Sequence, residues 1–277
     1  MSVPAEYDPL IYRGCASHYL IGRPPYSTEL PAVLQRELTL DGTGALLDVG
    51  CGPGVLAVQL APLFERVMAI DPDPDMVSEA RRHAQEHGRT VEYRTARAED
   101  IPALAIPRIR VATFGQSFHW IDPEPVTEAL YNLLEPGGAI VLVTHDIDAR
   151  PRPEGPGDPP IPHDEIQAMV RTFLGPERRA GAGRVRPSTE RYEAALTRTR
   201  FGAPSIVHAP GREDLTRDID GVISGYLSMS YAAPHLFGDR LESFVAEVRD
   251  LLASRSPTGR FWDWPGDTVL LIARTAT

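Results

Sequence analysis

Residues 115–122 read GQSFHWID, which sets an amide, a hydroxyl, an imidazole and an indole almost side by side. An apolar run, residues 111–114, precedes them, and a helix-like segment closing on a glycine pair follows. A core has little use for that mixture and a solvent loop has little use for Phe118 and Trp120, so the stretch should face a ligand. An imidazole changes protonation near neutrality and suits proton removal there. His119 is therefore a candidate base, the other reading being a ring hydrogen bond that locks a neighbouring loop. His18 and His145 are further candidates, His145 because it follows the next strand on the same rim, and Tyr19 and Tyr26 could share the work.

A second cluster lies upstream. In LLDVGCGPG, residues 46–54, a strand ends at Asp48 and Val49, and Gly50, Cys51, Gly52, Pro53 and Gly54 form a tight turn into a helix. Glycines permit positive φ and let a ligand approach the main chain. The spacing is G-x-G-x-G, without the third glycine of a dinucleotide fingerprint, which speaks against a nicotinamide-dependent reductase. An acid at the turn, Asp48, suits an ammonium group better than a pyrophosphate. Asp71 closes the next strand about 20 residues on, where an acid holds a ribose diol. Asp71, Asp73 and Asp75 begin like a calcium loop, but Met76 and Arg82 stand where that loop needs Gly and Glu. No metal site is predicted, and Asp73 and Asp75 read as helix caps.

The elements that must position these residues alternate. Strand signals at 45–49, 66–70, 90–95, 109–114 and 137–144 are separated by helical spacing at 55–64, 73–88 and 122–134. That alternation predicts an α/β, doubly wound, mostly parallel seven-stranded sheet with helices on both faces. After a proline- and glycine-rich loop at 148–163 come helices at 164–175, 220–234 and 236–255, a strand within 201–210, and a final strand at 267–275. The helical stretches read as lid insertions in the C-terminal half. The expected layout is one domain over 1–277: an N-terminal helical lid segment (1–40), a cofactor-binding core (41–145), acceptor-recognition insertions around a strand at about 204–208 (146–266), and the last strand (267–277). Pockets are largely apolar with a few polar groups, so Tyr226, Met229 and Tyr231 are candidate acceptor contacts.

Composition narrows the class. The 277-residue chain carries a net charge of -10, which gives no broad footprint for nucleic acid or anionic membrane. All 28 basic residues are arginine, so lysine chemistry is excluded. Two cysteines, Cys15 and Cys51, make no disulfide framework. With no apolar run near bilayer length and no signal-peptide pattern, a soluble cytoplasmic protein, monomer or homodimer, is expected.

Taken together, LLDVGCGPG, Asp71, ARAED (96–100) and LLEPGGAIVL (133–142) resemble the class I S-adenosylmethionine-dependent methyltransferases, over roughly residues 19–144. The resemblance implies S-adenosyl-L-methionine as cofactor. Gly50, Cys51, Gly52 and Gly54 would pass beside it, with Asp48 near its amino group. Asp71 would hold the ribose, Pro72 and Met76 would flank the adenine, and Ala98 and Glu99 would lie at its edge. Many relatives carry an acid where this chain has Arg97. HYLIGRPPYS (18–27) matches the family's Y-x-x-x-R-P-x-Y pattern, which would put Tyr19 and Arg23 at the methionine carboxylate. Gln116 would lie along the cofactor, Phe118 and Trp120 would wall the methyl-transfer chamber, and His18, His119 and His145 would face the acceptor. The acceptor is expected to be a small, neutral or aromatic molecule. An arginine-only, proline-rich chain of this pattern resembles actinomycete enzymes of specialised metabolism, some of which methylate carbon of an electron-rich ring such as indole, others oxygen or nitrogen. A cofactor-retaining cyclase on the same fold is the rival class.

Overall fold

The computed structural model describes residues 8, 11–146, 148, 153, 155, 157–176, 179, 180, 183, 184 and 192–276. Seven strands build one sheet: β1 (Ala45–Val49), β2 (Arg66–Asp71), β3 (Glu92–Thr95), β4 (Ile109–Gly115), β5 (Leu134–Asp146), β6 (Ser205–Ala209) and β7 (Asp267–Arg274). Their spatial order is β3-β2-β1-β4-β5-β7-β6. β1 to β5 pair in parallel, whereas β7 runs antiparallel to both β5 and β6. The order reverses between β1 and β4, so their carboxyl ends open a crevice of the kind that receives ligands in open α/β sheets. This is the fold class expected from the alternation of strand and helix signals.

Ten helices accompany the sheet among the described residues: α1 (Ala16–Gly22), α2 (Leu30–Leu38), α3 (Val55–Leu60), α4 (Pro74–Glu86), α5 (Pro123–Leu133), α6 (His163–Leu174), α7 (Tyr192–Thr197), α8 (Ile219–Leu227), α9 (Pro234–Phe237) and α10 (Leu241–Arg255). β1 is buried along its whole length, as a central strand covered on both faces must be. Leu46, Val111 and Val141 pack toward α2, α3 and α4, while Leu47, Ala112 and Ile140 pack toward α5 and α7. A third core, around Val222, Tyr226, Phe237, Phe244 and Phe261, belongs to the insertions alone. Asp73 caps α4, its side chain accepting from the Asp75 amide at 2.8 Å.

The C-terminal half departs from expectation most. The predicted helix over 220–234 stops at Leu227; a 3₁₀ turn at Ser230–Ala232 and the short α9 replace its second half. The chain leaves the helical region at Met229 (φ -92°, ψ 138°), and Pro234, with Ala233 extended before it at φ -59° and ψ 142°, opens the separate α9. α10 starts only at Leu241, after Gly238 turns the chain at φ 54°. A two-stranded antiparallel ribbon, Thr216–Asp218 against Arg260–Trp262, was not expected, and its strands are three residues long. The predicted loop at 148–163 lies partly outside the described residues.

Candidate active site

The first hollow opens at the glycine turn. Gly50, Gly52 and Gly54 all have positive φ (65°, 52° and 79°). A Cβ on Gly50 would lie 2.6 Å from the Ser117 Cβ, so the turn tolerates no side chain there. Gly52 faces open space. The Asp71 carboxylate supports the turn: one oxygen accepts from the Gly52 amide at 2.8 Å, the other from the Asp73 amide at 2.9 Å. Each oxygen keeps a second lone pair, which a vicinal diol could occupy. Burial raises its pKa to about 6. Beside it, Pro72, Met76, Ala98, Glu99 and Trp120 line a hollow of about 100 Å³ together with Gly50 and Gly52.

Asp48 stands deeper. Thr113 Oγ1 donates to its Oδ1 at 2.8 Å, while Oδ2 is buried without a partner. Burial pushes its pKa up to about 7, against the opposing pull of the Thr113 hydroxyl and the Ala57 amide. An ionised carboxylate left this way is costly, and a cation brought beside it would relieve the cost. Main-chain cradle, diol-ready Asp71 and half-satisfied Asp48 together fit the sulfonium amino-acid nucleoside that the fold implies.

The small hollow continues into a larger one of about 470 Å³, the two sharing Tyr19, Gly50, Gly115 and Gln116. Gln116 carries a left-handed backbone, φ 58°, pinned where its amide donates to the Val143 carbonyl at 3.0 Å. Such strain in a non-glycine residue concentrates at functional sites. Arg23 and Tyr26 come from the loop after α1, Asp48 and Cys51 from the end of β1 and its turn, His145 from β5, and Tyr226 and Met229 from α8 and just beyond. The Arg23 guanidinium lies 5.0 Å from the centre of the Tyr19 ring and donates to the Ser228 carbonyl at 3.0 Å, yet its Nε is buried without a partner.

Several expected contacts are placed elsewhere. Phe118 turns into the sheet core, edge-on to Phe114 at 5.2 Å, and lines neither hollow. Trp120 lines the small hollow, not the chamber assigned to it from the sequence. His119 is exposed, its Nδ1 bonded to the Tyr192 hydroxyl at 2.7 Å, outside both hollows. These positions follow from the 3₁₀ turn at Phe118–Trp120, which points consecutive side chains in three directions where an extended loop would alternate them. His18 faces Ser224 at 3.3 Å, and Tyr231 packs against the insertion core; neither lines a hollow. Gly54 is the N-cap of α3, where a Cβ would strike the Tyr93 hydroxyl, so its role is packing beside the turn.

Other lining residues carried no local signal. Ile11 and Tyr12 join Trp120 around the small hollow, Tyr12 edge-on to Trp120 at 6.0 Å. Ile161, His163, Arg217, Val222, Asp263 and Trp264 complete the large one. The RFWDW aromatics were the one visible hint of the last group. Among the described residues no three His, Cys, Asp or Glu side chains are placed to hold a metal, and no helix is long and apolar enough to cross a membrane.

Comparison with known proteins agrees with this division. Residues 46–138 match the family of methyltransferase domains. The ubiquinone biosynthesis O-methyltransferase of Xanthomonas axonopodis pv. citri is 39% identical over 107 residues, 38% of this chain and 45% of that protein. The chain thus spans less than half the length of the curated relatives it matches. An Anaeromyxobacter dehalogenans structure, described provisionally as a type II methyltransferase, superposes with TM-score 0.54 at 23% identity over 92% of this chain and 97% of that one. A structure concerned with conversion of a disulfide bond into a thioacetal group during echinomycin biosynthesis gives TM-score 0.50 at 16% identity, covering 97% and 91%. At these identities the two structures speak to fold alone. The segment that builds the glycine cradle is the one that matches a methyltransferase domain, and the cofactor this match supports is S-adenosylmethionine.

Proposed function

We propose that the chain is an S-adenosylmethionine-dependent methyltransferase acting on a small, neutral, partly aromatic acceptor. The observation that carries this reading is the unpartnered Asp48 Oδ2, buried at the glycine cradle, where the small hollow broadens into a 470 Å³ chamber. When bound, the cofactor supplies a methyl group on a positively charged sulfur that leaves as a neutral thioether. The chain's own part is to bind, orient and keep water out, and orientation alone is worth about 7–11 kcal/mol in favourable cases. Asp48 would pair with the cofactor's ammonium, Arg23 and Tyr19 would meet its carboxylate, and Asp71 would take the ribose hydroxyls. Pro72, Met76, Ala98 and Trp120 would enclose the base, and Gly50, Cys51, Gly52 and Gln116 would run alongside.

Neutrality of the acceptor rests on the chamber's charges. Arg217 and Asp263 pair at 2.6 Å and cancel, and His145 is held uncharged at neutral pH by burial. Trp264, Ile161, Val222 and Met229 offer apolar surface. The curated relatives are named for O-methylation, which supports oxygen as the acceptor atom; methylation of an indole carbon would use the same chamber. Incubation with methyl-labelled cofactor and a panel of phenols, indoles and amines tests the reading. Label should appear in one acceptor class, and calorimetry should show S-adenosylhomocysteine binding. Label that never reaches a product would favour the cyclase reading, and binding of NAD without S-adenosylhomocysteine would end the methyltransferase reading.

A further inference from the structure

We propose that His145, not His119, takes the acceptor's proton, and that the acceptor presents a hydroxyl, on an aromatic ring by preference, beside Tyr26. This rests on the methyl-transfer reading given above.

The geometry is prebuilt. His145 lies at the end of β5 on the wall of the large hollow, its ring stacked on Tyr26 with centroids 5.0 Å apart and planes 11° from parallel. Tyr26 is held by its neighbour: the Ser27 amide donates to Thr268 Oγ1 at 2.8 Å, and the Ser27 carbonyl accepts from Gln59 Nε2 at 2.7 Å. Thr268 sits directly across the β5–β7 ladder from His145. Both rings therefore hang from one pair of strands, two residues beyond Val143, which pairs with Gly115 of the cofactor rim. A Cβ on Gly115 would lie 3.0 Å from the Tyr26 hydroxyl, so Tyr26 and His145 stand where the two hollows meet.

Three histidines line the chamber, and they differ in what their rings already do. His163 Nδ1 is bonded to the Tyr226 hydroxyl at 2.8 Å, and His83 Nδ1 to the Pro53 carbonyl at 3.1 Å. His145 Nδ1 is buried with no partner. So enclosed, Nδ1 cannot meet the acceptor, and the nitrogen that takes the proton is Nε2. The charged groups around it are mixed: Asp263 and the Pro24 carbonyl favour the protonated ring, while Arg23 opposes it. Burial dominates and lowers the ring to about 4, so it is neutral and able to accept at physiological pH. Low basicity is no obstacle, because an oxygen that is giving its lone pair to a methyl group makes its own O–H strongly acidic.

The step balances. The O–H proton would move to His145 Nε2 and its bonding pair stay on the acceptor oxygen; that oxygen would bond the methyl carbon as the C–S bond breaks with its pair going to sulfur, and the imidazolium would then pass its proton to water. One proton appears in the medium for each methyl group transferred.

His145→Gln keeps polarity and roughly the size of the ring but accepts no proton. Turnover of hydroxyl acceptors should fall about 10²- to 10³-fold, within the range for a general base, while calorimetric affinity for S-adenosylhomocysteine stays within about threefold. Across phenols of increasing acidity the defect should shrink, since an already ionised phenol needs no base; a merely structural role would slow all of them alike. His145→Asn gives the same comparison if the Gln variant folds poorly. The assignment is overturned by a variant within about threefold of wild type on hydroxyl acceptors, by a defect constant across the phenol series, or by a wild type that methylates carbon only. Failure of the methyl-transfer reading would show separately, as wild-type protein that neither binds S-adenosylhomocysteine nor transfers label.

Discussion

The glycine cradle meets its ligand with main chain at strand tips, whereas the opposite wall of the chamber meets it with side chains from separated stretches. Gly50 and Gly52 lie within a single turn, and Asp48 and Asp71 stand on adjacent paired strands. Across the hollow, Arg23, Arg217, Tyr226 and Asp263 are brought together by tertiary packing alone. The junction is close: α1 and α8 touch at Gly22 and Gly225, where a Cβ on Gly22 would lie 2.2 Å from the Gly225 nitrogen. The family match, residues 46–138, takes in the glycine turn, Asp48 and Asp71 but none of Arg23, Arg217, Tyr226 and Asp263. The wall built from the insertions has its own core and its own tie to α1.

The sharpest way to break this contrast is to loosen one wall. Arg217 donates through Nε to Asp263 at 2.6 Å and through Nη1 to the Gly22 carbonyl at 2.7 Å, with both side chains of the ion pair nearly buried. It thus joins the ribbon to the C-terminus of α1. Arg217→Ala leaves Asp263 as a lone buried charge and should cost about 3–5 kcal/mol. Hydrogen exchange should show the loss in α1, α8 and α10, while β1, β2 and β4 keep most of their protection. Equal loss of protection in both regions would mean the walls form one cooperative unit.

How far the site could be read in advance follows the same division. The turn at 50–54, Asp48 and Asp71 were legible because strand, glycine and acid adjoin in sequence and the period of the flanking elements is unambiguous. Trp120 was recognised as a ligand contact but given to the wrong hollow, and Phe118 and His119 to a hollow they do not line, because a three-residue 3₁₀ turn leaves no periodic trace. Asp263 and Arg217 were invisible, since an Asp in an aromatic loop and an Arg in a three-residue strand carry no pattern until the ribbon sets them side by side. The end of α8 at Leu227 had no such mark, since the break falls at Met229, inside an apolar run with neither glycine nor proline.

A smaller effect of mixed sign should come from Asp48→Asn. Asp48 and Asp71 have native pKa values raised to about 7 and about 6 from an ordinary 3.8. Between about pH 4 and 7 the native protein therefore holds protons that the unfolded chain has lost. Stability from these groups is greatest below about pH 4 and declines as pH rises through that window. Asp48→Asn should flatten the upper part of the decline, leaving the Asp71 part, and should raise the melting temperature of the unliganded protein at pH 7.5. The same change should weaken S-adenosylhomocysteine about 10- to 100-fold, the loss expected for a hydrogen bond to a charged group of roughly 1.5–3 kcal/mol. Melting curves from pH 4.5 to 8 and calorimetry give the two halves. A variant that is less stable at pH 7.5 yet binds normally would remove Asp48 from the cradle.

The least effect is expected at the residue that the sequence places at the centre of the chemistry. His119 stands between the two walls in sequence but belongs to neither hollow: its Nδ1 is taken by Tyr192, its ring lies parallel to that tyrosine at 11°, and Tyr192 in turn meets Phe118 edge-on at 5.8 Å. The ring therefore ties the β4 exit to α7 on the outer face of the sheet. His119→Gln should cost about 1 kcal/mol or less, the worth of one exposed hydrogen bond, and Tyr192→Phe should cost the same, with no further loss when the two are combined. Turnover and S-adenosylhomocysteine affinity should both stay within about threefold of wild type. A fall in turnover comparable to that of His145→Gln, with affinity intact, would return the proton-accepting role to His119 and require the 3₁₀ turn to reopen when the acceptor binds.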